Sequence, residues 1–204
     1  MIEPITAATD VLLAVAAAWF AVLIVRASTD RAARLLAGAL AVTAFGALAG
    51  AAYHMARSSA LWKVSAVPIG VASYLFGSAV AFAYLPPGSR RIARMILGLQ
   101  LAGYVLAVAL SDDFGVVIAD YATVMLAILV LCLFRLSDLA ARWIAASVVI
   151  SFAAAGVQMS TIRVGSLNHN DLYHLIELAG LFCMYHGGRL LRTRVTAPPT
   201  IQPM

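Results

Sequence analysis

LLAGALAVTAFGALAGAAYHM, residues 35–55, contains no Asp, Glu, Lys or Arg. An uncharged run of this length crosses hydrocarbon about 30 Å thick, at about 1.5 Å per residue. Asp30-Arg31-Ala32-Ala33-Arg34 precedes it and Arg57 follows it. Similar apolar runs fill the rest of the chain, at residues 10–25, 61–85, 92–110, 114–134, 139–161 and 172–191. Between them lie turn-forming groups such as Ser28-Thr29-Asp30, Pro86-Pro87-Gly88-Ser89 and Ser111-Asp112-Asp113. Composition agrees. Of 204 residues, 63% are hydrophobic and 11% charged, and the mean hydropathy is +0.95; soluble domains carry about 25% charge. Seven spans of roughly 20 residues use about 140 and leave only short loops. The sequence therefore predicts an all-α membrane protein with seven transmembrane helices over residues 1–194. A disordered cytoplasmic tail is predicted for residues 195–204, where Pro198, Pro199 and Pro203 fall.

The net charge of +5 does not point to nucleic acid, because the basic residues sit between apolar runs rather than in one tract. With the N-terminus outside, Arg57, Lys63 and Arg163 are the only outer cations, and the other eleven of the fourteen are inside. The positive-inside bias thus predicts N-out, C-in. Arginine in place of lysine, with abundant alanine, points to a bacterial cytoplasmic membrane. Cys132 and Cys183 lie within apolar runs and read as small buried hydrophobes. Asp30-Arg31-Ala32-Ala33-Arg34 is echoed by Asp138-Leu139-Ala140-Ala141-Arg142. This suggests two parallel triplets, helices 1–3 and 5–7, joined by helix 4.

Ionisable side chains inside spans are costly and usually functional, so their depth matters. In this topology His54 ends helix 2 at the outer side. Helix 7 opens there with His169, Asn170, Asp171 and His174, and Glu177 lies one turn deeper. Asp120 lies below the mouth of helix 5, Gln158 ends helix 6, and Ser73 and Tyr74 lie deeper on helix 3. His186, beside Arg189, reads as an interfacial histidine. Gly46, Gly50 and His54 share one helical face, where small residues admit a neighbouring helix. Asn170, His174 and Glu177 share another.

Imidazoles with carboxylates can hold zinc with one open position and so generate a hydroxide near neutral pH. On that reading His54, His174, His169 and Asn170 are the candidate metal ligands, and Asp171 or Glu177 moves the proton. Asp120, Gln158, Ser73 and Tyr74 line the substrate pocket. The alternative is a polar network that ties the helices together or holds a small molecule.

A histidine ending the second of seven spans and a histidine cluster opening the seventh resemble the CREST superfamily, which includes the alkaline ceramidases and the progestin and adipoQ receptors. The resemblance implies a seven-helix bundle with zinc near one membrane face and hydrolysis of a lipid amide. His54 matches the helix 2 ligand and His174 the second histidine of the helix 7 HxxxH pair. Asn170 stands where the first histidine would be, and His169 is one residue earlier. Gly50 replaces the helix 2 serine, and residues 58–63 open helix 3 without an aspartate. Asp171 or His169 would have to complete the metal set. Residues 168–174 are also similar to a segment of bacterial seven-helix membrane proteins of unknown role.

The sequence thus supports a zinc-dependent membrane hydrolase acting on a lipid-like amide or ester at the extracytoplasmic side. A non-enzymatic sensor or transporter using the same pocket is the alternative, since transporters place sites between repeats. Its partners are membrane lipid and a lipid-like or small-molecule ligand, not nucleic acid, and no oligomeric state is assigned. A proton path through Asp120, Glu177 and His174 is less supported, because only Gln100 and Tyr74 continue it inward. Helix 7 has no lysine for a retinal Schiff base. All catalytic readings require the imidazoles of His54 and His174 to meet at a common centre.

Overall fold

The computed structural model describes residues 3–194; the predicted tail lies outside them. Among the described residues the chain forms seven helices: α1 (Pro4–Ala27), α2 (Arg31–Ala56), α3 (Ser59–Tyr84), α4 (Pro87–Leu110), α5 (Phe114–Leu133), α6 (Leu139–Gln158) and α7 (His169–Leu190). Six are long and apolar enough to cross a membrane. α7 is long enough, at about 33 Å, but carries His169, Asp171, His174, Glu177, His186 and Arg189, which lower its hydropathy. It is a polar helix held within apolar neighbours. The outward surface is what a lipid solvent requires, with Leu99 74% and Leu110 79% exposed. The protein is an all-α, seven-helix, multi-pass membrane protein.

Local chemistry sets the helix starts. Asp30, Asp113 and Asp138 cap α2, α5 and α6 through the amides of Ala32, Gly115 and Ala140. Asn168 caps α7 in a reciprocal box: its side chain accepts from the amides of Asn170 and Asp171, and Asp171 Oδ2 accepts from Asn168 N at 2.8 Å. The turn before it pairs Val164 with Leu167 and passes through Gly165 at φ +59°. Proline at the start of α1 carries that helix back to Pro4, six residues earlier than the predicted span.

The helices form a ring in the order α1, α2, α3, α5, α6, α7, closed by α7 against α1. α4 lies outside the ring against α3 and α5, and buries only Tyr104 and Val108. The triplets α1–α3 and α5–α7 therefore occupy opposite halves. Each second helix is clasped alike at its capped end: Thr193, just past α7, donates to Asp30 at 2.9 Å, and Tyr84, ending α3, donates to Asp138 at 3.1 Å. Large side chains pack this end, with Ile24, Leu36, Ile144 and Leu191 fully buried. Towards the opposite end the residues shrink to Gly46, Ala47, Gly50, Ala155 and Gly156, and a cavity opens. Cys132 and Cys183 are free and buried.

Candidate functional site

The cavity, about 730 Å³, is lined by apolar and aromatic side chains such as Trp62, Phe76, Phe152 and Leu181, and by the polar atoms of Asp10, His54, His174 and Glu177. Three helices deliver those groups. α2 ends with His54, α7 brings His174 and Glu177, and α1, packed against both, inserts Asp10 between the two imidazoles. His54 Nε2 lies 3.8 Å from Asp10 Oδ2, and His174 Nε2 lies 3.2 Å from Asp10 Oδ1. Gly50 makes this fit possible, because a Cβ there would stand 3.2 Å from Asp10 Oδ2. The two glycines of the α2 ridge thus serve different neighbours, Gly50 facing Asp10 and Gly46 facing Pro68 of α3.

The far nitrogens of both rings are anchored. His54 Nδ1 lies 2.7 Å from Glu3 Oε2, which can only accept, so Nδ1 carries the proton. His174 Nδ1 lies 2.9 Å from Thr9 Oγ1, whose own hydrogen goes to Thr6 O at 2.9 Å. The hydroxyl therefore accepts from His174 Nδ1. In its neutral form each ring turns an Nε2 lone pair towards the Asp10 carboxylate. Three acceptors then face one another without a donor, and Asp10 Oδ2 is buried without a hydrogen-bond partner. Glu177 repeats the pattern deeper in the cavity: Ser151 Oγ donates to Oε1 at 2.9 Å, and Oε2 is buried without a partner. Only a proton, an ammonium, a metal ion or another donor completes such a centre.

The donor set resembles that of a zinc site in kind: two imidazole lone pairs and a carboxylate, with each imidazole oriented by a second residue. It does not match in spacing. Among the described residues, no group of three or more His, Cys, Asp or Glu side chains stands ready to hold a metal ion.

The residues singled out in the sequence separate into groups. His54, His174, Asn170, Glu177 and Gln158 line the cavity. His169 opens α7 without lining it. Asp171 is fully buried with both oxygens engaged, Oδ1 accepting from Thr6 Oγ1 at 2.6 Å and Oδ2 capping the helix. Its place is structural, joining α1 to α7, rather than at the cavity wall. Ser73, Tyr74 and Asp120 do not line the cavity either. Ser73 donates to Ile69 O, Asp120 accepts from Gln100 at 3.1 Å, and Tyr74 accepts from Arg94 at 3.2 Å near the opposite end of the bundle. His186 stacks on Trp143 at 4.9 Å between centroids.

Sequence reasoning missed Glu3, Thr6, Thr9 and Asp10. The apolar run that predicts the first span begins at Asp10, which places the aspartate at a boundary. Pro4 in a helix-opening position was the available signal. It puts Asp10 about 9 Å along the helix, on one face with Thr6.

The chain belongs to a family of unknown function (DUF6962), whose pattern matches residues 5–193. No curated protein and no solved structure matches it.

Proposed function

We propose that the protein binds a small amphiphile drawn from the membrane, and that the ligand's polar end brings positive charge or hydrogen-bond donors to Asp10. The carrying observation is the convergence of two imidazole Nε2 atoms and a carboxylate oxygen without a hydrogen-bond partner at the end of an apolar cavity. Glu177 Oε2 supplies a second acceptor along the wall. The packed core at the other end of the ring favours a receptor-like role over a carrier. Its membrane is the bacterial cytoplasmic membrane, with the arginine-rich end inside.

Thermal stability of detergent-purified protein tests this with dodecylamine, dodecanol and dodecanoate, which share a chain and differ in head. Dodecylamine should stabilise saturably, and Asp10→Asn should weaken that effect at least tenfold. Equal stabilisation by dodecanoate would refute the acceptor-lined end.

A second reading is metal-dependent hydrolysis of an amphiphilic amide or ester, favoured by the anchoring of both Nδ1 atoms, which aims both Nε2 atoms at one carboxylate. Here His54, His174 and Asp10 would draw together around zinc, which when bound supplies a Lewis acid. Glu177 would take up and return a proton. Elemental analysis separates the readings. Stoichiometric zinc that is lost in His54→Ala and His174→Ala supports hydrolysis, and its absence from freshly purified protein removes it.

A further inference from the structure

The opposite end of the bundle carries an unrelated cluster. Phe82, buried near the end of α3, is flanked by three guanidinium groups. The carbons of Arg31, Arg90 and Arg94 lie 4.3, 4.6 and 5.4 Å from its ring centroid. They come from the starts of α2 and α4, so two helix entries converge on one aromatic ring. All three charges are then no further apart than the screening length of about 10 Å at 0.1 M salt, so they repel one another.

No carboxylate among the described residues forms an ion pair with them. The two acids at this end are occupied: Asp30 by its helix cap and Thr193, Asp138 by its helix cap and Tyr84. The guanidinium hydrogen bonds go to neutral oxygens. Arg90 donates to Leu85 O and Arg194 O at 3.2 and 3.0 Å, and Arg94 to Tyr74 Oη at 3.2 Å. The Nε groups of Arg90 and Arg94 are buried without a partner. Two of the three, Arg90 and Arg94, line a pocket of about 360 Å³ together with Tyr74, Pro87, Arg91 and Met95.

We infer that this pocket is a binding site for a phosphate-bearing anion. Guanidinium forks match phosphate oxygens in geometry and charge, and basic pockets between helix ends at a membrane face suit phospholipid headgroups. A phosphate here lies against Arg90, Arg91 and Arg94, which line the pocket, and offsets the mutual repulsion. Met95 and Pro87 supply an apolar wall beside it. The site is independent of the Asp10 cavity.

The test uses the full chain in a non-ionic detergent, titrated with phosphatidylglycerol, phosphatidylcholine or inorganic phosphate and followed by thermal shift and native mass spectrometry. Phosphatidylglycerol should stabilise saturably, weakening as salt rises, and phosphatidylcholine should bind at least tenfold less well. The combined Arg90→Gln and Arg94→Gln variant should lose at least tenfold in affinity, whereas Arg142→Gln, outside the cluster, should not. Inorganic phosphate stabilising as strongly as the lipid would assign the site to a soluble phosphate compound. Should the double variant fail to fold, Arg94→Gln alone carries the comparison. Stabilisation by neither probe, or unchanged affinity in the variants, overturns the proposal.

Discussion

Asp10 and Asp171 differ in what surrounds them rather than in residue type. Asp171 has no accessible surface, and both oxygens receive donors, one from Thr6 Oγ1 and one from its own helix cap. Asp10 faces two imidazoles whose protons point elsewhere. A satisfied buried carboxylate holds structure, and an unsatisfied one invites a partner. Thr6→Val removes the donor at Asp171 Oδ1 and should destabilise the protein by about 1–3 kcal/mol, read as a lowered Tm in detergent. An unchanged Tm would mean that this bond does not tie α1 to α7.

At the scale of elements, glycine decides how closely helices approach. A Cβ at Gly187 would stand 2.6 Å from Ile144 Cγ1 and 3.2 Å from Ala140 O, so α6 and α7 meet through its absence. Gly98, on the lipid-facing side of α4, has nothing within 4 Å. Gly187→Ala should therefore cost about 1–3 kcal/mol through overpacking. Gly98→Ala should be neutral or stabilising by up to about 1 kcal/mol, from helix propensity alone. Similar Tm values for the two variants would contradict the close α6–α7 contact. The capped helix ends were legible in the sequence because Asp and Asn act on amides two or three residues away. The start of α1 was missed because Glu3, Thr6 and Asp10 break the apolar pattern that marks a span, although Thr6 and Asp10 share the face of α1 that meets α7.

At the scale of the whole molecule, the Asp30–Thr193 clasp ties the entry of α2 to the exit of α7. Burial pushes the Asp30 carboxyl up, but hydrogen bonds from the Thr193 amide and hydroxyl and from the Ala32 and Ala33 amides outweigh it, holding the group below its ordinary value. A depressed folded-state value stabilises fully above the unfolded value of about 3.9 and is lost as pH falls through the folded one. The Tm difference between wild type and Asp30→Asn should accordingly be largest near neutrality and shrink below about pH 4. A difference that grows in acid would reverse the assignment. Orientation has its own test. Ser166→Cys should react with a membrane-impermeant maleimide on intact cells and Gly88→Cys only after permeabilisation, since the native cysteines are buried; the opposite pattern would invert the topology.

The sequence alone determined the solvent, the helix count and the end of the bundle where polar groups collect. Each is set by residue types over one span: hydrocarbon demands uncharged helices, and charges retreat to their ends. His54, His174 and Glu177 were legible for that reason. Which polar groups meet was decided only by the packing of the ring, and most of all by α7 closing against α1, which joins Thr6 to Asp171 and Thr9 to His174 from opposite ends of the chain. In the folded chain Asp10 and Asp120 each lie about two turns into their helices, α1 and α5. Packing sent one towards two imidazoles and the other to Gln100, because proton inventories and voids are properties of neighbours in space, not in sequence.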